Sequence, residues 1–392
     1  MSDFRETGGY SLVTAILPRH TSTRVIDAVL AQSNRNVLAL NARGTLIKER
    51  WYQSFVPVMN PEQEVVQLLA PESEVDHVMR QIVSAGSLQL AGAGAIYSIK
   101  CDNVVVSDGY PLREEKDHDA RIEEESPFIF KKDLAGIFCI AEGQMAETIA
   151  RAAVQTGGPG PTISYCLGRG IRDRLLLLRI AKSAEKEFIQ TVVESCDADP
   201  VFNAMANAGR IDEPGRGFIY RVPIEKGLNN MASVFGMARH SASIQQIVSA
   251  IDDLKGDREW RDQSVLDMGD SGGGFGLGFG AGKLKQRKYL ENFTMLTCVA
   301  KRTATETLTD AALSAGAPGA SISYGRYIES EAAHTSAGVR LNRERGIIQS
   351  VLPPNKIGAI REAIQRAATD NNLDEICFYT HPVAKGLTYL GE

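Results

Sequence analysis

Two arginines set in a run of glycines are the residues best suited to act on an anion. They lie in Gly209-Arg210-Ile211-Asp212-Glu213-Pro214-Gly215-Arg216-Gly217. Glycine lets the backbone take φ > 0 and lets a ligand approach the main chain closely. Successive N–H groups of such a turn can converge on an anion, and Arg210 and Arg216 would add positive charge beside them. A tight helix-to-strand turn with two solvated arginines would leave the same trace, because a lone glycine loop is a weak signal. Phe218-Ile219-Tyr220-Arg221-Val222 follows with the alternation of a strand, and Pro223 ends it.

Other chemistries find little support. No GxSxG, HExxH or Cys/His pair at a recognisable spacing occurs. His381, in THPVAKG, reads as an acid–base group or as a structural histidine beside a strand-ending proline, and His77 falls on the exposed side of a helical pattern. The cysteines Cys101, Cys139, Cys166, Cys196, Cys298 and Cys377 form no CxxC pair and mostly sit in apolar runs. That suits reduced thiols and a cytoplasmic location, and it argues against a dedicated metal site. A tract at 271–288, SGGGFGLGFGAGKLKQRK, imitates a phosphate loop but fails it. Leu277 stands where GxxxxGK[ST] needs glycine, and Leu284 follows Lys283 where Ser or Thr is needed. It reads as a flexible linker, or as an extended strand for self-association through Phe275, Leu277 and Phe279.

Length and charge bound the rest. A chain of 392 residues suggests two to four domains. A hydrophobic fraction of 43% and a charged fraction of 23% are ordinary for a globular protein. A net charge of -5 argues against a nucleic-acid partner. No apolar run approaches the roughly 20 residues that span a bilayer, so no membrane insertion is expected. The N-terminal MSDFRETGGYSL lacks the basic-then-apolar order of a secretory signal.

The elements that must position the arginine loop recur. Residues 12–17, 23–32, 37–41, 64–69, 72–83 and 95–99 read as strand, helix, strand, strand, helix and strand. The order is β-α-β-β-α-β, the ferredoxin-like pattern. A second copy starts with the strand Gly136 to Ala141, the helix Met145 to Val154 and the strand Thr162 to Leu167. It continues with the strand Leu175 to Ile180 and a helix opening at Ala184 to Cys196, and it ends in the glycine loop and its strand. A third runs through 293–300, 305–314, 321–324, 347–352, 356–368 and 376–380. Literal echoes support the alignment: GGPGPTISYCLGRG beside GAPGASISYGRY, and PIEKGL beside PVAKGL. A basic residue adjoins a glycine after each second strand, at Arg43-Gly44, Arg169-Gly170 and Gly325-Arg326. The fold class expected is α+β, with three tandem ferredoxin-like units at 1–108, 135–238 and 290–392. A charged linker at 109–134 and a segment at 239–289, with an amphipathic helix and the glycine tract, would join them.

The run GRIDEPGRGFIYRVPIEKG, repeated units included, resembles the PII (nitrogen-regulator) superfamily, most of all its divergent PII-like members. In that family three subunits pack their sheets around a threefold axis, with nucleotide sites in the clefts between them. The resemblance implies an intramolecular pseudo-trimer. It implies a ligand site at Gly209, Arg210, Gly215, Arg216 and Gly217, with Arg169, Gly170 and Arg326 from the second strands. ATP, ADP or AMP, or a small anion, is the ligand implied. The acidic Asp212-Glu213 departs from the family pattern and counts against tight triphosphate binding. The first copy keeps Gly86, Gly92 and Gly94 without a basic residue, and the third, NNLDEICF, keeps no glycine.

The family's long loop between second and third strands touches partner proteins. Here it is long in the first copy, with Trp51, Tyr52, Phe55 and Val56, and in the third, and it reads as nearly absent in the second. The function implied is a regulator or adaptor that binds a small anionic ligand and a protein partner, a transporter or a metabolic enzyme. A self-assembling protein without ligand and a small-molecule enzyme are the alternatives.

Overall fold

The computed structural model describes residues 4–32, 36–45, 62–112, 128–170, 185–231, 287–328 and 342–389. Within them the chain is mixed α/β. Its 16 strands join in one large antiparallel sheet carrying six α-helices. The aromatic residues Trp51, Tyr52 and Phe55, residues 113–127 of the charged linker, the expected amphipathic helix and the glycine tract up to residue 286 all lie outside the described residues.

After β1 (Phe4–Thr7) comes a first set of elements: β2 (Tyr10–Pro18), α1 (Arg19–Gln32), β3 (Val37–Gly44), β4 (Glu62–Pro71), α2 (Val75–Gly86) and β5 (Gly94–Lys100). β6 (Asn103–Ser107) trails it. The second set is β7 (Leu134–Glu142), α3 (Ala146–Gln155), β8 (Thr162–Gly170), β9 (Glu185–Glu194), α4 (Ala198–Gly209) and β10 (Gly217–Ile224), trailed by β11 (Lys226–Asn230). The third is β12 (Phe293–Lys301), α5 (Thr305–Ser314), β13 (Gly319–Ile328), β14 (Asn342–Leu352), α6 (Pro354–Asp370) and β15 (Cys377–Val383), trailed by β16 (Lys385–Thr388).

Each set pairs its strands alike, with the first strand between the third and fourth and the second outside the third. The register agrees as well. Thr14 faces Gln67 and Tyr97; Phe138 faces Gln190 and Tyr220; Thr297 faces Gln349 and Tyr379.

Two sequence readings of the second set need correction. The strand expected at Leu175 to Ile180 lies outside the described residues, and the third strand is β9, at residues expected to open a helix. Helix α4 starts only at Ala198. The connection from β8 to β9 is therefore not short: it spans 171–184, the same place in the order as the long connections 45–61 and 329–341. The expected strand ends PIEKGL and PVAKGL also divide. Lys226 and Lys385 begin the separate strands β11 and β16.

Those trailing strands knit the sets together. β6 adds to β15 of the third set, β11 to β5 of the first, and β16 to β10 of the second. The exchange is cyclic: every set gives one strand and receives one. Two lysines fasten it, Lys226 to Asp76 at 3.0 Å and Lys385 to Asp199 at 2.9 Å, each aspartate lying in the first turn of the receiving set's helix. β3, β8 and β13 also pair with one another.

Burial on both faces of the first strands follows from this packing. On β2, Val13, Ala15 and Leu17 pack under α1 and α2, while Leu12 and Ile16 join a central cluster. That cluster draws Tyr97, Tyr220 and Tyr379 from the three sets. Helix α2 buries Val75, Val78, Met79, Ile82 and Val83, the spacing of a single apolar stripe.

Candidate functional site

The loop from α4 to β10 owes its residues first to backbone geometry. Helix α4 ends in a left-handed turn, with Arg210 at φ 50°. Gly217 sits at φ 146°, and a Cβ there would lie 2.0 Å from the carbonyl oxygen of Ile140. Only glycine fits that position, so it would be required with or without a ligand.

The two arginines are not open to solvent alone. Arg210 Nε donates to Glu213 Oε1 at 2.6 Å. Arg216 donates through NH1 to Glu142 Oε2 at 3.2 Å, and its Nε lies 3.7 Å from Glu213 Oε2. The carboxylate of Glu213 thus stands between both guanidinium groups. Asp212 faces away to Arg287, at 3.2 Å.

Pairing register places Glu375 of the third set where Arg216 stands in the second, and Lys301 where Glu142 stands. Lys301 and Glu375 are 3.2 Å apart. The same strand end is therefore tied by the same contact with its charges reversed. Glu375 also receives Arg343 at 3.1 Å and Arg345, which is fully buried. Burial acts to raise the Glu375 carboxyl, but its bonds to Arg345 and Lys301 outweigh that and hold it below its ordinary range.

The other residues expected at the site lie elsewhere. Arg169 pairs with Asp310 of α5 at 3.0 Å, between the second and third sets, and Gly170 pairs across to Gly319. Arg326 pairs with the buried Glu64, between the third and first sets. The structure therefore separates them: Arg210 and Arg216 pair within the second set, while Arg169 and Arg326 pair across two different junctions.

One junction brings in residues that the sequence reading did not assign to the site. Arg43 of β3 donates to Glu187 of β9 at 3.1 Å and to Glu147 of α3 at 2.5 Å. Glu187 Oε2 also accepts the backbone N–H of Gln144 at 3.1 Å and of Ala146 at 3.2 Å, at the start of α3. A carboxylate of the protein thus occupies that helix N-terminus, where the helix dipole and free N–H groups favour negative charge. This clamp lies beside the arginine loop, because Ala141 pairs with Glu187 on one side and Gly217 on the other.

By register Arg43 corresponds to Arg326 and to Leu167, and Glu187 to Glu64 and to Gly346. Two junctions are thus closed by an Arg–Glu pair across sets. In the third the pair is absent by residue type: a Cβ on Gly346 would lie 2.4 Å from Thr305 Oγ1. The shared Glu-x-x-Gln spacing, Glu64 to Gln67 and Glu187 to Gln190, is the signal that could have found the acceptor.

His381, an acid–base candidate by sequence, lies within β15 and is buried, which pushes its imidazole down to about 4. It is neutral near pH 7. Glu194, Cys196 and Asp197 bring ligand atoms within 4.8 Å of one another before α4, but Lys131 already holds Glu194 at 2.5 Å. No described helix is long and apolar enough to cross a membrane.

No family model matches the chain, and no curated protein sequence matches it. Solved structures similar in part include the following two. PII of Arabidopsis thaliana bound to citrate shares 21% identity, over 24% of this chain and 79% of that one, with a TM-score of 0.20. Aspartate kinase from Synechocystis shares 10% identity, over 97% of this chain and 44% of that one, also with a TM-score of 0.20.

Proposed function

We propose that the chain is a PII-like regulatory or adaptor protein built as an intramolecular pseudo-trimer of three ferredoxin-like units. It takes a small anion or an adenine nucleotide at a junction between units and presents its second-to-third-strand connections to a protein partner. The observation that supports this reading is the cyclic exchange of β6, β11 and β16. It makes each junction a contact between two units, so a ligand seated there acts on both.

The junction proposed for the ligand is the one beside Gly209, Arg210, Gly215, Arg216 and Gly217. Arg210 and Arg216 already converge on one carboxylate there, that of Glu213, and a carboxylate marks a place where a small oxyanion is held by the same donors. Glu213 is then an internal competitor, released when ligand binds. Release frees the loop at the N-terminal end of β10, next to the strand that the third unit donates: Thr388 of β16 donates to the Gly217 carbonyl at 2.8 Å. A loop can report a ligand only if the ligand binds its two states with different affinity, and displacement of Glu213 supplies that difference.

The test is a thermal-shift series with ATP, ADP, AMP, bicarbonate and 2-oxoglutarate on the wild type and on Arg210→Ala/Arg216→Ala. One of them should stabilise the wild type by about 2.7 kcal/mol at a hundredfold excess over its dissociation constant. The double variant should remain folded and lose that shift. An equal shift in both proteins would remove the loop from the site.

A further inference from the structure

Where the three sets face one another, strands of all three line a chamber of about 50 Å³. One glutamine from each set lines it, at the same register position: Gln67, Gln190 and Gln349. Thr14, Tyr97, Tyr220, Ser164, Ser323 and His381 complete its polar wall. Leucine, valine, isoleucine and phenylalanine fill the rest, and no carboxylate, lysine or arginine is among the lining residues.

The hydrogen bonding of that wall is incomplete. A primary amide offers two donors and an acceptor with two lone pairs. Gln67 Nε2 reaches Thr14 Oγ1 only at 3.4 Å, and Gln190 Oε1 accepts from Tyr97 only at 3.4 Å. Both are at the far limit of a hydrogen bond. The Gln349 amide has no protein partner among the described residues. His381 has one contact, from Nδ1 to the carbonyl of Pro382 at 3.4 Å. Gln67 and Gln349 are only partly buried, so amide groups that lack a protein partner there meet water or a solute that completes their bonds. Its volume suits about three or four waters, or one molecule of about four non-hydrogen atoms.

The chemistry of the wall selects the class. An ion would enter without a counter-charge, which low-dielectric surroundings penalise heavily. An apolar molecule would leave the amides unsatisfied. Amides, hydroxyls and a neutral imidazole together supply donors and acceptors, and they match a solute that carries both. We propose that this chamber is a binding site for one small uncharged molecule of the carboxamide or urea type, held by Gln67, Gln190 and Gln349, with water in its place in the free protein. The site is separate from the arginine loop and does not depend on it.

Acetamide is the probe, and acetone, of the same size but without N–H donors, is its control. Saturation-transfer NMR on the full chain should show saturable acetamide binding, on the order of tens of micromolar at best for so few atoms. Acetone should bind at least tenfold more weakly. Gln349→Met, close in volume and without hydrogen bonds, should weaken acetamide at least tenfold. The acetone comparison uses the wild type alone, so it stands even if that variant does not fold. A crystal soaked in acetamide should show it bonded to the three glutamines, and the unsoaked crystal should show ordered water there. Non-saturable binding, equal affinity for acetone, undiminished binding to folded Gln349→Met, or a dry chamber would each overturn the proposal.

Discussion

Replacing His381 by valine should remove a defined part of the acid sensitivity of this protein. Register places His381 where the first set has Ile99 and the second has Val222, so an aliphatic residue is already accepted at the equivalent positions. Burial holds the imidazole at about 4 against 6.5 for the ordinary group, with only the Pro382 carbonyl acting the other way. The folded state thus binds its proton later than the unfolded chain does. The stability linked to this group is fully present above pH 6.5 and is lost as pH falls towards 4. The difference between the two values corresponds to roughly 3 kcal/mol, most of which is lost by pH 4.5. Urea unfolding of wild type and His381→Val at intervals from pH 7.5 to 4.5 would measure it. The stability difference between the two proteins should move by that amount in favour of the variant as pH falls. A difference that stays constant across the range would refute the reasoning, whatever its size, because it would mean that the buried imidazole does not titrate between the two states.

The clamp between the first two sets should show as coupling. In a double-mutant cycle, Arg43→Met and Glu187→Gln should interact by roughly 1–3 kcal/mol in urea unfolding, whereas additive effects would mean that the contact is not energetically specific. Gly217→Ala forces a Cβ against the Ile140 carbonyl at a positive φ, so it should cost more than about 2 kcal/mol and lower the urea midpoint. Cys196 is the exposed thiol among the described cysteines, and burial, with Asp197 and Glu194 beside it, raises its pKa. A disulfide reagent should label it first in native protein, and the rate should keep rising above the pH at which an ordinary thiol levels off; prior labelling of a buried cysteine would contradict the packing.

Much of the secondary structure was legible because each strand carries its own alternation and each helix its own stripe. The elements of the first and third sets fall within a few residues of expectation. The second set misled for a physical reason. The leucines at 175–178 satisfy the pattern of a buried strand, while β9 opens on Glu185, Lys186 and Glu187, charges that disguise it. One of those charges, Glu187, is buried because Arg43, 144 residues away in sequence, neutralises it. Nothing local in EKEFIQ announces that partner. The trailing strands were missed likewise: β11 and β16 are short and bury their faces only against another set. Of the arginine loop, sequence revealed the glycines and the cations. It also flagged Glu213 as out of place, but that Glu213 holds both arginines follows from geometry alone.

On that last contact rests the ligand site proposed here, and titration calorimetry on Glu213→Gln tests it most directly. Removing the carboxylate charge leaves Arg210 and Arg216 without their internal anion. An adenine nucleotide or small anion that binds the wild type should bind Glu213→Gln more tightly, by about tenfold if about 1.4 kcal/mol of competition is relieved. Arg210→Ala/Arg216→Ala should bind neither. Affinity unchanged by Glu213→Gln and by the double arginine variant would contradict the account, and would place any ligand of this protein away from the loop that joins α4 to β10.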